Sequence, residues 1–209
     1  MKSATICVLA WLLLCASGVH AAPSADRSKS PQQTETSADK TTPSYDMKAQ
    51  SILDMQQLQK KYVELAQALP ADKFNWRPEA GTRSISELFL HVAGANYGIP
   101  TMMTGTAAAP GYKKDGFETS TTDKAKIIDQ LNQSFTFAIA SVQKMTNADF
   151  AKAEKKLGPD ANDGDVVYIL VTHNHEHLGQ SIAYARMNGI TPPWTEEAEK
   201  KAAAKGAAE

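Results

Sequence analysis

Three of the five histidines stand within five positions, in the run Thr172-His-Asn-His-Glu-His-Leu-Gly-Gln180. On an α-helix, residues four apart differ by about 40° in direction and about 6 Å in rise. His173 and His177 therefore project side by side from one face. His175 lies about 160° round from each and points elsewhere. Val166, Ile169, Leu170 and Tyr184 fall on the same stripe as the pair, at spacings of three, four and seven. That periodicity turns the pair toward the interior of whatever packs there. His91 stands two residues after Phe89 and three after Leu88, on the inner side of a second amphipathic segment. Three imidazoles can meet: two from one helix and one from another. Neutral imidazole binds zinc, nickel, copper or iron, and a set of three protein ligands leaves a position open for water or substrate. The spacing is not that of HExxH, because His175-Glu176-His177 does not place a base between two ligands of one face. The ordinary alternative is a set of core or surface histidines with conventional hydrogen bonds.

A metal held in this way could lower the pKa of a bound water toward about 7 or polarise a bound group. A general base would have to lie within hydrogen-bond reach. Glu176 is the nearest carboxylate in sequence, about 100° from His177 around the helix, and is the candidate base; the alternative is a solvated, helix-pairing residue. Gln180, three residues beyond His177, could orient that imidazole from outside the coordination sphere. Gly179 beside it could allow a close helix approach. Two non-catalytic readings stand beside the enzyme: a metal-binding or interaction module without turnover, and a structural metal tying two helices together.

The elements that must position these residues are read from periodicity. Asp46 to Leu69 carries Ile52, Met55, Leu58, Tyr62, Leu65 and Leu69 at helical spacing, and Pro70 ends it. Ser84 opens a capping box with Glu87. Behind it Ile85, Leu88, Phe89, Val92, Ala95, Ile99 and Met102 predict a helix over about 85–104, weakened late by Gly94, Gly98 and Pro100. Thr121, Thr122 and Asp123 start a third helix, with Ile127, Leu131, Phe135, Ile139, Val142 and Met145 inward. Asn147-Ala-Asp-Phe could form one extra turn. The fourth helix runs from about Asp165 to Asn188, with Gly189 as its stop. No segment shows sustained strand alternation. Four helices with one apolar face each pack as an all-α four-helix bundle. Trp76, Pro78 and Trp194 pack its ends or wall a pocket; Asn96 and Tyr97 line a pocket mouth or join the core.

The chain has 209 residues, 42% hydrophobic and 22% charged, with a formal net charge of -1. That balance is globular and lacks a nucleic-acid or polybasic membrane footprint. Lys2, the apolar run Ala4–Val19 and the small-x-Ala end at Ala21 read as a cleaved signal peptide over 1–21. The expectation is an exported protein, periplasmic or extracellular, with no stable membrane insertion afterwards. Both cysteines, Cys7 and Cys15, would leave with the signal, which excludes catalytic cysteine, Cys-ligated zinc and disulfides from the mature chain. Residues 22–45, with almost no large apolar side chains, read as a disordered spacer. The bundle then occupies 46–194, and 195–209 is a solvated Ala/Lys/Glu-rich tail.

The sequence resembles the DinB/YfiT-like superfamily of metal-dependent enzymes. The matching pieces are Ser-Ile-Ser-Glu-Leu-Phe-Leu-His over 84–91 with Trp76 and Pro78 upstream, His173-x-x-x-His177-Leu-Gly-Gln, and Ala-Tyr-Ala-Arg-Met-Asn-Gly-Ile-Thr-Pro-Pro-Trp over 183–194. The resemblance spans roughly residues 50–194. It implies an up-down-down-up bundle with a divalent transition metal, zinc, nickel or iron foremost, on His91, His173 and His177. It also implies a small-molecule substrate and a possible homodimer. Known members include thiol-dependent transferases and isomerases using bacillithiol or mycothiol. Such thiols are cytoplasmic, so export turns the expectation toward another metal-dependent hydrolase or transferase, of unknown substrate.

Overall fold

The computed structural model describes residues 45–206, all of whose regular structure is helical. The expected signal peptide and nearly all of the spacer lie outside the described residues. Helix α1 is Met47–Ala68, α2 is Ile85–Gly98, α3 is Lys124–Lys144, α4 is the single turn Asn147–Phe150, α5 is Asp163–Met187 and α6 is Pro193–Gly206. Each long helix starts where its sequence offers acceptors for the orphan N–H groups of the first turn. Asp46 caps α1 and Asp123 caps α3. Ser84 and Glu87 close the expected capping box on α2, the Glu87 carboxylate accepting from the Ser84 N–H at 2.8 Å. Asn162 and Asp165 form another at α5, so that helix begins at Asp163, two residues before the expected start. At its far end Gly189 takes φ +75°, the left-handed conformation that stops a helix cheaply only with glycine. The second helix is shorter than expected: Pro100 cannot donate to an α-helical turn, and Ile99–Met102 tightens into a 3₁₀ turn.

Helices α3 and α5 each pack against both α1 and α2. Direction follows from the contacts at the ends. The Lys124 ammonium, at the start of α3, donates to the Gln67 and Leu69 carbonyls at the end of α1, both at 2.7 Å. Lys48, at the start of α1, donates to the Met145 carbonyl just past α3. Those two helices are antiparallel. The Thr104 N–H, beyond α2, donates to the buried Asp163 carboxylate at the start of α5 at 2.9 Å, so α2 and α5 are antiparallel. Trp76, between α1 and α2, meets Tyr184 near the end of α5 at 5.6 Å between centroids. The four long helices therefore run up, down, down, up.

The core is built from the predicted stripes. Met55, Leu58, Tyr62 and Leu65 from α1, with Leu69 just past its end, are buried together with Leu88, Phe89 and Val92 from α2, the Ile127-to-Val142 stripe of α3 and Met145 just beyond it. Burying such side chains contributes about 1.5–3 kcal/mol each. On α5 the buried stripe is displaced from the expected one. Val166, Leu170 and Tyr184 are buried, but Asn174, Leu178 and Ser181 fill the middle, while Ile169, His173 and His177 lie half-buried at its border. Gly179, read as a place of close helix approach, is exposed, and a Cβ there would meet nothing within 4 Å.

The connection from Met103 to Asp123 crosses the outside of α2. Its one regular piece is the 3₁₀ turn Phe117–Thr119. Tyr112 and Phe117 pack with Tyr97 and each other, the Tyr97–Tyr112 centroids being 4.9 Å apart. Gly94 makes this possible, since a Cβ there would lie 3.3 Å from the Phe117 ring and the Tyr112 oxygen.

Candidate metal centre

His91 comes from α2, and His173 and His177 from successive turns of α5. The His91 Nε2 lies 3.1 Å from the Nε2 atoms of both other rings. All three candidate ligand atoms fall within 4.8 Å of one another. Two nitrogens bound tetrahedrally to a cation at about 2.0–2.1 Å would sit about 3.3 Å apart, close to what is observed.

The outer nitrogens decide what the inner ones can do. The His91 Nδ1 is 2.7 Å from Glu118 Oε1, and the other Glu118 oxygen accepts from Arg83 Nε at 2.8 Å. The His177 Nδ1 is 2.9 Å from Gln180 Oε1, and the Gln180 amide donates to the Tyr184 hydroxyl at 3.1 Å. A carboxylate and an amide oxygen only accept, so both Nδ1 atoms carry the proton. In the neutral rings both Nε2 atoms then present lone pairs, 3.1 Å apart, and neither can donate. A cation between them turns this opposition into coordination. Pairing of the outer ring nitrogen with an acceptor is also how proteins orient imidazole ligands.

His173 differs. Its Nδ1 is buried and has no hydrogen-bond partner among the described residues. Presenting its Nε2 lone pair leaves that N–H unpaired, at about 1–3 kcal/mol. Structural zinc sites supply about 10–16 kcal/mol, so coordination outweighs this cost. Burial, and then the neighbouring His177, His91 and Arg83, push the His173 pKa down to about 4. Burial likewise lowers that of His177, with the Gln180 bond opposing. At neutral pH both rings are in the neutral, ligating form. For Glu118, burial alone would raise the carboxyl, but the hydrogen bonds and charges of Arg83 and His91 bring it below its ordinary value. It stays an anion, suited to hold the His91 proton.

The structure thus brings together His91, His173 and His177, with Gln180 behind His177. His175 is exposed. Glu176 is also exposed and its carboxylate makes no hydrogen bond among the described residues; the carboxylate tied to the cluster is Glu118. Sequence reasoning missed Glu118 and Arg83, because Glu118 lies in an aperiodic connection, 27 residues from His91. Replacing Glu118 by glutamine, which keeps an acceptor, should weaken metal binding about tenfold, and replacing it by alanine up to about 100-fold. Competition with a chromophoric chelator measures both. An unchanged affinity in Glu118→Ala would show that this carboxylate does not orient His91.

The comparisons with known proteins agree with this architecture. No curated protein matches the chain. Among solved structures, a DinB-like protein from Bacillus cereus ATCC 10987 superimposes with a TM-score of 0.59 at 17% identity, over 68% of this chain and 93% of that one. At that identity the likeness speaks for the fold. The family model of the DinB superfamily matches residues 54–181, which hold all three histidines, Glu118 and Gln180. With well over half of its length covered by that match, the chain belongs to the DinB superfamily.

Proposed function

We propose that this is an exported metal-dependent hydrolase or transferase, acting on a small molecule at a divalent transition-metal centre held by His91, His173 and His177. One observation carries the reading: Glu118 and Gln180 hold the protons of two imidazoles outward, so that their lone pairs face each other at 3.1 Å. What supports export is the Lys2, Ala4–Val19, Ala21 pattern at the start of the chain.

The chemistry a divalent cation supplies in such a site is Lewis acidity, which polarises a bound oxygen and eases loss of a proton from water. The protein's part is to aim and tune. Glu118, anchored by Arg83, fixes the ring of His91 and raises its basicity. Gln180, anchored by Tyr184, does the same for His177. Three neutral ligands preserve the cation's full charge, and three positions filled by protein leave room for a substrate atom. The half-buried placement of His173 and His177 keeps that room accessible. In this reading Glu176, close in sequence but exposed, is a proton acceptor only for a substrate that reaches outside the cluster.

Cobalt(II)-loaded protein titrated with azide tests the open position. The expected result is a saturable new absorption band, marking an exchangeable site. A spectrum that azide does not move would mean a closed coordination sphere and a structural metal that ties α2 to α5.

A further inference from the structure

A cavity of about 610 Å³ opens beside His91 and Glu118, between α2 and the connection that crosses it. Its size is that of small-molecule sites, about 300–1,000 Å³. Away from the histidine its walls are mostly apolar: Gly94 on α2, Ile99 and Met102 in the 3₁₀ turn beyond, which also presents Thr101, and Phe117 opposite.

Two polar groups on its wall have no other task. Gly94 lies one turn beyond His91 on the same side of α2. A Cβ at Gly94 would be 3.3 Å from the Tyr112 phenolic oxygen, so that hydroxyl stands over the helix backbone next to the metal ligand. Its ring is fixed, 4.9 Å from Tyr97 and 5.1 Å from Phe117 between centroids. The hydroxyl itself has no hydrogen-bond partner among the described residues. Burial, and then the Glu118 charge, raise its pKa, so it remains a donor. The second group is Lys114, which lines the same cavity, is exposed, and forms no ion pair among the described residues. The other charges near His91 are spent: Arg83 and Glu118 neutralise each other at 2.8 Å. His91 alone of the three rings lines the cavity, and a divalent cation on its Nε2 would add positive charge to that side.

We propose that this cavity binds a small amphipathic carboxylic acid, its carboxylate on the Tyr112 hydroxyl beside Gly94 and within reach of the Lys114 side chain that lines the same cavity, and its hydrocarbon body along Ile99, Met102 and Phe117. The proposal rests on the metal centre described above. A carboxylate accepts from the Tyr112 hydroxyl and is drawn by Lys114, whereas the body gains by leaving water. Neither an inorganic anion nor an uncharged alkane derivative uses both ends.

The test uses the full chain loaded with cobalt(II), and octanoate and 1-octanol as probes, read by calorimetry and by the cobalt visible spectrum. Octanoate should bind at least about tenfold more tightly than octanol and shift the spectrum. Tyr112→Phe should weaken octanoate about tenfold and leave octanol unchanged, since one hydrogen bond to a charged group is lost. Lys114→Gln should weaken octanoate several-fold. Neither variant should alter cobalt affinity or melting temperature. Equal binding of the two probes would overturn the proposal, as would octanoate binding that neither variant changes. Cobalt uptake without octanoate binding would overturn this proposal alone. Failure to take up cobalt would overturn the metal reading and this proposal with it.

Discussion

Replacing both His173 and His177 by alanine should abolish metal-dependent stabilisation while leaving the bundle folded. Loss of a single outer partner costs about 10–100-fold in metal affinity, and loss of two of three ligands must cost more. A ligand present at about 1,000 times its Kd stabilises the folded state by about 4.1 kcal/mol. For a chain of this size each kcal/mol moves the melting temperature by about 2–4 °C. The parent should therefore melt on the order of 10 °C higher with excess metal than after chelation, and the double variant should show no shift. Both rings are half-buried at the border of the α5 core stripe, so their removal leaves Leu170, Asn174 and Leu178 in place. The control is His175→Ala, an exposed ring outside the cluster, which should retain the full shift. A double variant that keeps the parent's metal-induced shift would show that the ion is bound elsewhere.

Phe135→Ala should be the most damaging single change away from the metal. Phe135 is fully buried in the middle of α3, with its ring 5.6 Å from that of Tyr62, which in turn meets Phe89 at 6.3 Å. One side chain thus joins α3 to α1 and, through Tyr62, to α2. Its truncation removes buried apolar surface and leaves a cavity among close-packed neighbours, at about 3–5 kcal/mol. The melting temperature should fall by about 6–20 °C. Below that temperature the variant should still bind metal, because His91, His173 and His177 stand on α2 and α5. Thermal denaturation followed by circular dichroism, with and without metal, separates the two effects. A fall under about 3 °C would mean that the core around Tyr62 closes over the gap.

Helices α1 and α3 were legible residue by residue, because their buried stripes consist of large apolar side chains with polar neighbours and need only the period of 3.6. Helix α5 was legible in extent but not in rotation. Asn174 reads as an outward polar residue, yet its amide donates to Asn96 Oδ1 and to the Leu170 carbonyl, both at 2.8 Å, and it is fully buried. The Tyr62 hydroxyl donates to the Asn174 carbonyl at 2.7 Å, which ties the same point to α1. A polar residue whose amide is held by Asn96 on another helix leaves no local mark in the sequence. This internal network turns α5 by about one position, and the histidine pair moves from the core stripe to its edge, where solvent can reach it. The three histidines were legible because i,i+4 spacing is a local signal and His91 follows Leu88 and Phe89 on the inner side of its own amphipathic segment, a set that the family resemblance reinforced. Glu118 was not, because its partnership with His91 depends on the path of the connection across α2. That path is set by Gly94, Tyr112, Phe117 and the Asp163–Thr104 bond, none of which repeats with any period.

The account stands on a metal ion at His91, His173 and His177, and elemental analysis of the protein purified without a histidine tag tests it most directly. The prediction is about one equivalent of a transition metal per chain in the parent, and none in the His173→Ala/His177→Ala variant. No metal in either protein, after exposure to zinc, nickel, iron and copper and with folding unchanged, would contradict it and leave the three imidazoles as neighbours without an ion.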